Sequence, residues 1–359
     1  MKLKVYGCGS IGNHMAHAAR TLGWHVDMVD IDENAIDRTK NNIYPSRYGS
    51  WDAKISLFLK GKEPKGGYDL IHIGTPPLSH VPLALECLEE TPNGILVEKP
   101  LCEPAMKNVQ RLVETSKRLK IPVFIGYDHV VGQAAEKCSE LLKENVIGPI
   151  ETLDVEFREF WGGIFQAHPW LKGPEESYLG YWKRGGGAGG EHSHAINLWQ
   201  HFAKMAGRGR VALVSAAMDY HRDEQVNYDK LCLLHLHTEE GLIGRVVQDV
   251  VTTPPRKWAR IQGREGYLEW HCGAPEGMDV VLMGRKNGAL EKFEFPKTRP
   301  DDFVKELRHI EYHIREKNNE SPLSIQSGVE TMELVAAAHR SSQTGESCEI
   351  GSRKIKKKS

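Results

Sequence analysis

No two cysteines in this sequence stand in a CxxC pair. The seven (Cys8, Cys87, Cys102, Cys138, Cys232, Cys272 and Cys348) are scattered and odd in number. That excludes a disulfide framework and leaves no cysteine-based zinc site, and it reads as reduced thiols in a reducing compartment. Long apolar runs are missing as well. No stretch approaches bilayer-spanning length, and the N-terminus enters a strand pattern without a basic-then-apolar leader. A cytoplasmic protein with no membrane partner is expected. Charge of one sign is also lacking: 47 Lys and Arg face 48 Asp and Glu, a formal net charge of −1. Nothing in that balance calls for nucleic acid. There is no internal repeat and no low-complexity tract. The one concentrated charge is a basic run within 353–359, read as a solvated tail.

What is present is an ordinary globular composition, 40% apolar and 26% charged over 359 residues, more than one core usually serves. Two domains are expected. Over 1–128, strand patterns (2–7, 26–31, 70–73, 95–97, 123–125) alternate with helical ones, including Ile11, Met15, Ala18 and Leu22 at helical spacing before Gly23. Alternation of this kind implies parallel strands with right-handed crossovers, hence an α/β, doubly wound Rossmann domain. Beyond it, 129–352 carries strand-like runs joined by short connections. Glu239-Glu240-Gly241 is one, and Asn287-Gly288 is the strongest hairpin signal. Two helices close the chain, near 301–317 and 325–342. The second domain is therefore expected to be α+β with a large, mostly antiparallel sheet.

The first turn reads Gly7-Cys8-Gly9-Ser10-Ile11-Gly12, a GxGxxG between a strand and a helix. The first glycine permits the tight turn, the second lets a pyrophosphate approach the backbone, and the third allows close helix–strand packing. Alone the motif is weak, but Asp30 lies 18 residues past Gly12, near the offset of a ribose-binding carboxylate. An acid there favours NAD and would repel the 2′-phosphate of NADP. Asp32 nearby reads as a helix N-cap, and Arg38 as a solvated charge.

Two further segments complete a pattern. Residues 94–101 read GILVEKPL, with Glu98-Lys99-Pro100 at a strand end after the Thr75-Pro76-Pro77 turn, and residues 185–197 read GGGAGGEHSHAIN. Together with the fingerprint, these resemble the Gfo/Idh/MocA family of oxidoreductases. The resemblance covers about 1–200 by motif and the remainder by architecture. It implies that Lys99 lies beside the nicotinamide and contacts the reacting hydroxyl, that His194 is the acid/base, and that Glu191 assists it. It also implies cofactor contacts from Gly7, Gly9, Ser10, Ile11, Gly12, Asp30, Thr75, Pro76, His80, Glu98 and Lys99. The chain has Glu191 three residues before the histidine, like a branch with an E-x-S-H pattern, and a spacing of three keeps both on one helix face. It has Asn197 where an aspartate is common, and Tyr127-Asp128-His129-Val130 lacks the arginine often found there. That departure leaves the substrate open.

The residue types suit oxidation of a secondary alcohol. A histidine accepts a proton near neutrality, and a partly desolvated lysine stabilises a developing alkoxide. Each has a plainer alternative: Lys99 as a solvated strand end, His194 as a hydrogen-bonded core histidine. No metal is expected, since no second cluster completes a ligand set around Glu191 and His194. His192 reads as a helix-face residue, and His235 and His237 as the polar face of a strand. The segment 160–184 is irregular and aromatic. It packs a long loop, or it forms a wall on which a sugar ring stacks, with Lys172, Lys183 or Arg184 meeting an anionic group. Candidate substrate contacts are Lys99, Tyr127, Trp170, Lys183, Glu191 and His194. The expected function is NAD-dependent hydride transfer to or from a sugar, cyclitol or related small molecule, by a homodimer or homotetramer. The alternatives are reduction of another carbonyl or imine, and a non-catalytic NAD-sensing regulator.

Overall fold

The structure is a computed structural model that describes residues 1–166, 168, 170–318 and 320–351. The expected basic tail, 353–359, lies outside the described residues. Two units emerge. The first comprises Met1–Cys102, Met106–Asp128 and Thr298–Val329, and the second Glu103–Ala105, His129–Lys297 and Glu330–Ser359.

The first unit is built on six parallel strands: β1 (Lys2–Tyr6), β2 (His25–Asp30), β3 (Ile55–Leu59), β4 (Leu70–Ile73), β5 (Gly94–Val97) and β6 (Val123–Ile125). Their order is β3-β2-β1-β4-β5-β6, the doubly wound arrangement expected. Parallel strands are covered on both faces, so every residue of β4, β5 and β6 is buried. The helices between them are α1 (Ser10–Thr21), α2 (Glu33–Arg38), α3 (Tyr44–Tyr48), α4 (Pro77–Leu88) and α5 (Val109–Leu119). Gly23, at φ 76°, follows the end of α1. The strand β3 is an edge strand that the sequence pattern did not single out. Lys4 interrupts the apolar run of β1 yet is fully buried. Its Nζ lies 2.6 Å from Glu90 Oε2 and 4.4 Å from the centre of the Tyr68 ring.

Residues 298–329 depart from the expected boundaries, because they belong to the first unit. Their long helix stacks Phe303 on His14 of α1, with centroids 5.1 Å apart. Its Ile314 fills the space beside Gly94, where an added Cβ would come within 2.9 Å of the side chain. The Ile125 amide of β6 donates to the Leu323 carbonyl at 2.7 Å. Helical periodicity identifies such a segment but not the sheet it covers.

The second unit is a nine-stranded sheet with β7 (Ile150–Arg158), β8 (Val211–Arg222), β9 (Asn227–Thr238), β10 (Ile243–Asp249), β11 (Arg256–Gly263), β12 (Gly266–Cys272), β13 (Met278–Arg285), β14 (Leu290–Pro296) and β15 (Cys348–Glu349). The order is β14-β13-β12-β11-β7-β10-β9-β8-β15, and only β7 and β10 pair in parallel. This is the mostly antiparallel sheet expected. The Asn287-Gly288 turn joins β13 to β14, with Gly288 at φ 84°. One face is covered by α6 (Gln133–Lys143) and, after α7 (Gly162–Gln166) and α8 (Gly187–Glu191), by α9 (His194–Met205). On that face Trp199 is fully buried and donates from its indole to the Leu153 carbonyl at 2.9 Å. The chain ends its helical run with α10 (Arg299–Glu316) and α11 (Ile325–Thr344). Among the described residues no helix is long and apolar enough to cross a membrane.

Candidate functional site

In the first unit the glycines of the β1–α1 turn do three different things. Gly7 sits at φ 103°, and an added Cβ would lie 2.6 Å from the Gly74 carbonyl oxygen. A Cβ on Gly12 would sit 1.9 Å from the Gly7 oxygen, so helix and strand are in contact there. A Cβ on Gly9 would meet nothing within 4 Å. The second glycine therefore faces open space, while the other two serve the turn and its packing. Helix α1 has no side-chain cap and no acid in its first turn. Its leading amides keep the partial positive charge of a helix start. These features fit a pyrophosphate.

Asp30 accepts the Cys8 amide through Oδ2 at 2.7 Å and the Asp32 amide through Oδ1 at 3.0 Å. Burial, then the Asp30 charge, pushes the Cys8 thiol up to about 12, so it stays neutral. Asp32 caps α2 by accepting from Asn34 at 2.9 Å, the cap read from sequence. Thr75 is half-buried and Pro76 exposed on the next turn, where Ser79 donates to Thr75 Oγ1 at 2.7 Å.

His80 stands apart from the other expected cofactor contacts. It is 1% exposed and lies between the carbonyls of Thr75 and Pro100, 2.9 Å from the latter. Burial lowers its pKa. It ties the Thr75 turn to the Glu98-Lys99-Pro100 turn from beneath, with no open face. Glu98 is also buried, 3.0 Å from His72 Nε2. His72 was not singled out from sequence, since a lone histidine in an apolar strand carries no motif. Lys99 is half-buried at the end of β5. Tyr127, expected at the substrate, is 1% exposed and packs as core.

In the second unit Glu191 ends α8 and His194 begins α9. They do not share one helix face, contrary to the expectation from their spacing. Two residues, His192 and Ser193, turn between the helices. There the Ala195 amide donates to His192 at 2.8 Å and the Ser193 amide to Gly190 at 3.3 Å, three-residue bonds that break the α-helical ladder. The Tyr178 hydroxyl donates to Glu191 Oε2 at 3.5 Å. The His194 ring stacks on His129 with centroids 4.6 Å apart and planes 17° off parallel, and Phe157 follows at 6.2 Å. His129 also escaped sequence reasoning. Its signal was the departure from the family pattern at 127–130. Trp170 makes an edge contact with His168 at 5.2 Å, and exposed Lys183 lies 5.5 Å from the Trp182 ring. His235 is exposed and His237 half-buried on one side of β9, as read.

Similar proteins fit this picture. Residues 135–269 match the family model of the GFO/IDH/MocA C-terminal domain. No curated protein matches the chain. Among solved structures, an oxidoreductase from Agrobacterium radiobacter in complex with NAD+, L-tartaric acid and magnesium is 17% identical, with a TM-score of 0.76 over 98% of both chains. GenD2 from gentamicin A biosynthesis, in complex with NAD, is 17% identical with a TM-score of 0.76, over 98% of this chain and 97% of its own. Levoglucosan dehydrogenase in complex with NADH and L-sorbose is 15% identical with a TM-score of 0.78, over 98% of this chain and 99% of its own. At these identities the likeness is one of fold. Residues 135–269 are thus similar to the C-terminal domain of the GFO/IDH/MocA family, and the fold of the whole chain is that of the solved oxidoreductases.

Proposed function

We propose that this protein is an NAD-dependent oxidoreductase that moves a hydride between nicotinamide and a hydroxyl or carbonyl carbon of a sugar, cyclitol or sugar derivative. The observation that carries the reading is the Gly7–Gly12 turn. Its second glycine opens on empty space at an uncapped helix start, with the Asp30 carboxylate fixed alongside. Gly7, Gly9, Ser10, Ile11 and Gly12 would hold the pyrophosphate, and Asp30 the ribose hydroxyls. Thr75 and Pro76 would line the same cofactor, with His80 and Glu98 supporting them from below. When bound, the nicotinamide supplies the hydride acceptor or donor. Lys99 stabilises negative charge developing on the substrate oxygen. His194 takes or returns the hydroxyl proton, and Glu191 orients the substrate or the ring. Trp170 and Lys183 are the proposed substrate contacts of the aromatic segment.

NADH and L-sorbose bound to one similar structure, and NAD+ and L-tartaric acid bound to another, support a hydroxyl-rich substrate. Absorbance of NADH on a panel of sugars, polyols and sugar acids tests the proposal. Turnover that depends on Lys99 and His194 is expected, and NAD binding without turnover on any compound would favour a sensor. The reading includes a cytoplasmic location, since no disulfide joins the seven cysteines. It also includes homo-oligomers. Leu233 and Ile243 are exposed on the face of β9 and β10 that also carries His235, His237 and Arg245, a mixed surface that a second copy would cover. Light scattering showing a monomer at micromolar concentration would count against that.

A further inference from the structure

The helix pair that carries Glu191 and His194 is gripped from below at two points. Asp229, on β9, is fully buried and accepts the Gly189 amide through Oδ2 at 2.7 Å. Gln248, on the neighbouring strand β10, is also fully buried and donates from Nε2 to the His192 carbonyl. One grip therefore holds the body of α8, and the other holds the turn through which α8 passes into α9.

Three features show that this arrangement is built. Strand β9 is irregular where Asp229 sits: Asp219 pairs with Leu231 but Tyr220 with Asp229, so Lys230 is an extra residue. That bulge turns both Asp229 and Cys232 inward, where strict alternation would have separated them. The glycines of α8 then make room for the carboxylate. A Cβ on Gly187, at φ 76°, would come within 1.9 Å of Asp229 Oδ1, and one on Gly189 within 3.2 Å of Oδ2. Finally, Asp229 Oδ1 and Gln248 Oε1 are buried without a hydrogen-bond partner among the described residues. Two orphaned acceptors are a cost that stability alone gives no reason to keep. Burial also pushes the Asp229 carboxyl up to about 7, against the pull of the Gly189 amide and its own.

We propose that Asp229 and Gln248 are positioning residues that fix the α8–α9 turn and so set where the His194 ring stands. The inference rests on the reading of Glu191 and His194 as groups that act on substrate. It gives the glycine-rich run a second purpose, which is clearance for a carboxylate rising from the sheet. It also gives the turn between α8 and α9 a fixed point, since the His192 carbonyl accepts a strand side chain as well as the Ala195 amide.

The test needs no substrate. Ring proton NMR of the full chain, with the His194 signal identified by its loss in His194→Ala, gives the titration midpoint of that ring. Asp229→Ala, Gln248→Leu and Gly187→Ala should each move the midpoint by about half a pH unit or more, a threefold change in proton affinity. Asp229→Asn keeps an acceptor for Gly189 and should restore the wild-type midpoint. The half-buried His201 and the buried His339 should keep their behaviour in all four. Folded Asp229→Ala or Gln248→Leu with an unmoved His194 midpoint overturns the proposal. Should the alanine variant fail to fold, Gln248→Leu and Asp229→Asn decide. Turnover of His194→Ala tests the catalytic reading separately, so a dispensable His194 and a mispositioned one are told apart.

Discussion

Asp30 reaches back from the end of β2 and accepts the Cys8 amide proton through Oδ2 at 2.7 Å. With Oδ1 taken by the Asp32 amide, the carboxylate is pinned beside the glycine turn. A pinned anion welcomes two ribose hydroxyls and repels a phosphate in their place. NAD(H) should bind at least about tenfold more tightly than NADP(H), the equivalent of ~1.4 kcal/mol. Asp30→Ala should narrow that gap. Fluorescence titration with both reduced cofactors checks it, and equal affinity in the wild type would contradict it.

Lys99→Met keeps the stem and removes the cation. The expected loss is on the order of 10²–10³ in kcat, by analogy with removing an oxyanion donor. His194→Ala should cost ~10²–10⁴ as a lost general base. Glu191→Gln should do less. None should alter NAD affinity by much, because the glycine turn and Asp30 are untouched. Steady-state kinetics on a turned-over substrate read all three, and near-normal turnover by Lys99→Met would remove it from the mechanism.

Glu90→Ala should be among the most damaging substitutions in the first unit. It strips the partner from Lys4, whose side chain is 0% exposed, and leaves an uncompensated buried charge. The expected cost is ~3–5 kcal/mol. Denaturant melts should show it, and Lys4→Met combined with Glu90→Ala should recover most of the loss. A single variant as stable as the wild type would show that water reaches Lys4.

Two groups give stability opposite pH dependences. Burial pushes His339 down to about 3, where Trp182 stacks on it at 4.3 Å. The unfolded chain binds that proton near the ordinary histidine value of about 6.5. Stability from a neutral His339 is thus complete above about 6.5 and drains away as pH falls toward 3. Glu306 is the reverse case. Burial, then Asp128, Glu98 and Asp302, raise its pKa well above the ordinary value. It favours folding while protonated, and its contribution falls as pH rises above about 4.5. Glu306→Gln should raise Tm at pH 8 and His339→Gln should flatten the acid limb. Thermal melts across pH 4 to 9 measure both.

The doubly wound sheet was legible because its evidence is local: apolar strands, helical spacing and Gly7-Cys8-Gly9 all lie within a few residues. The antiparallel sheet was legible from Asn287-Gly288 and the short connections for the same reason. What escaped reading depends on distant partners. The turn between Glu191 and His194 is held by Gln248, more than fifty residues on, which donates to the His192 carbonyl. Lys4 reads as a surface lysine until Glu90 is placed beside it. The setting of His80 likewise depends on the Thr75 and Pro100 carbonyls on either side of its ring, the second of them twenty residues away.

The return of Thr298–Val329 to the first unit bears on how this chain is made. A ribosome releases β1 to β6 long before the segment that accepts the Ile125 amide and fills the space beside Gly94. Domains usually fold in order of synthesis, N-terminal first. Here that partner of the last strand of the first unit emerges only after the whole of 129–297. The glycine turn is thus among the first residues made, and the sheet behind it is completed by some of the last.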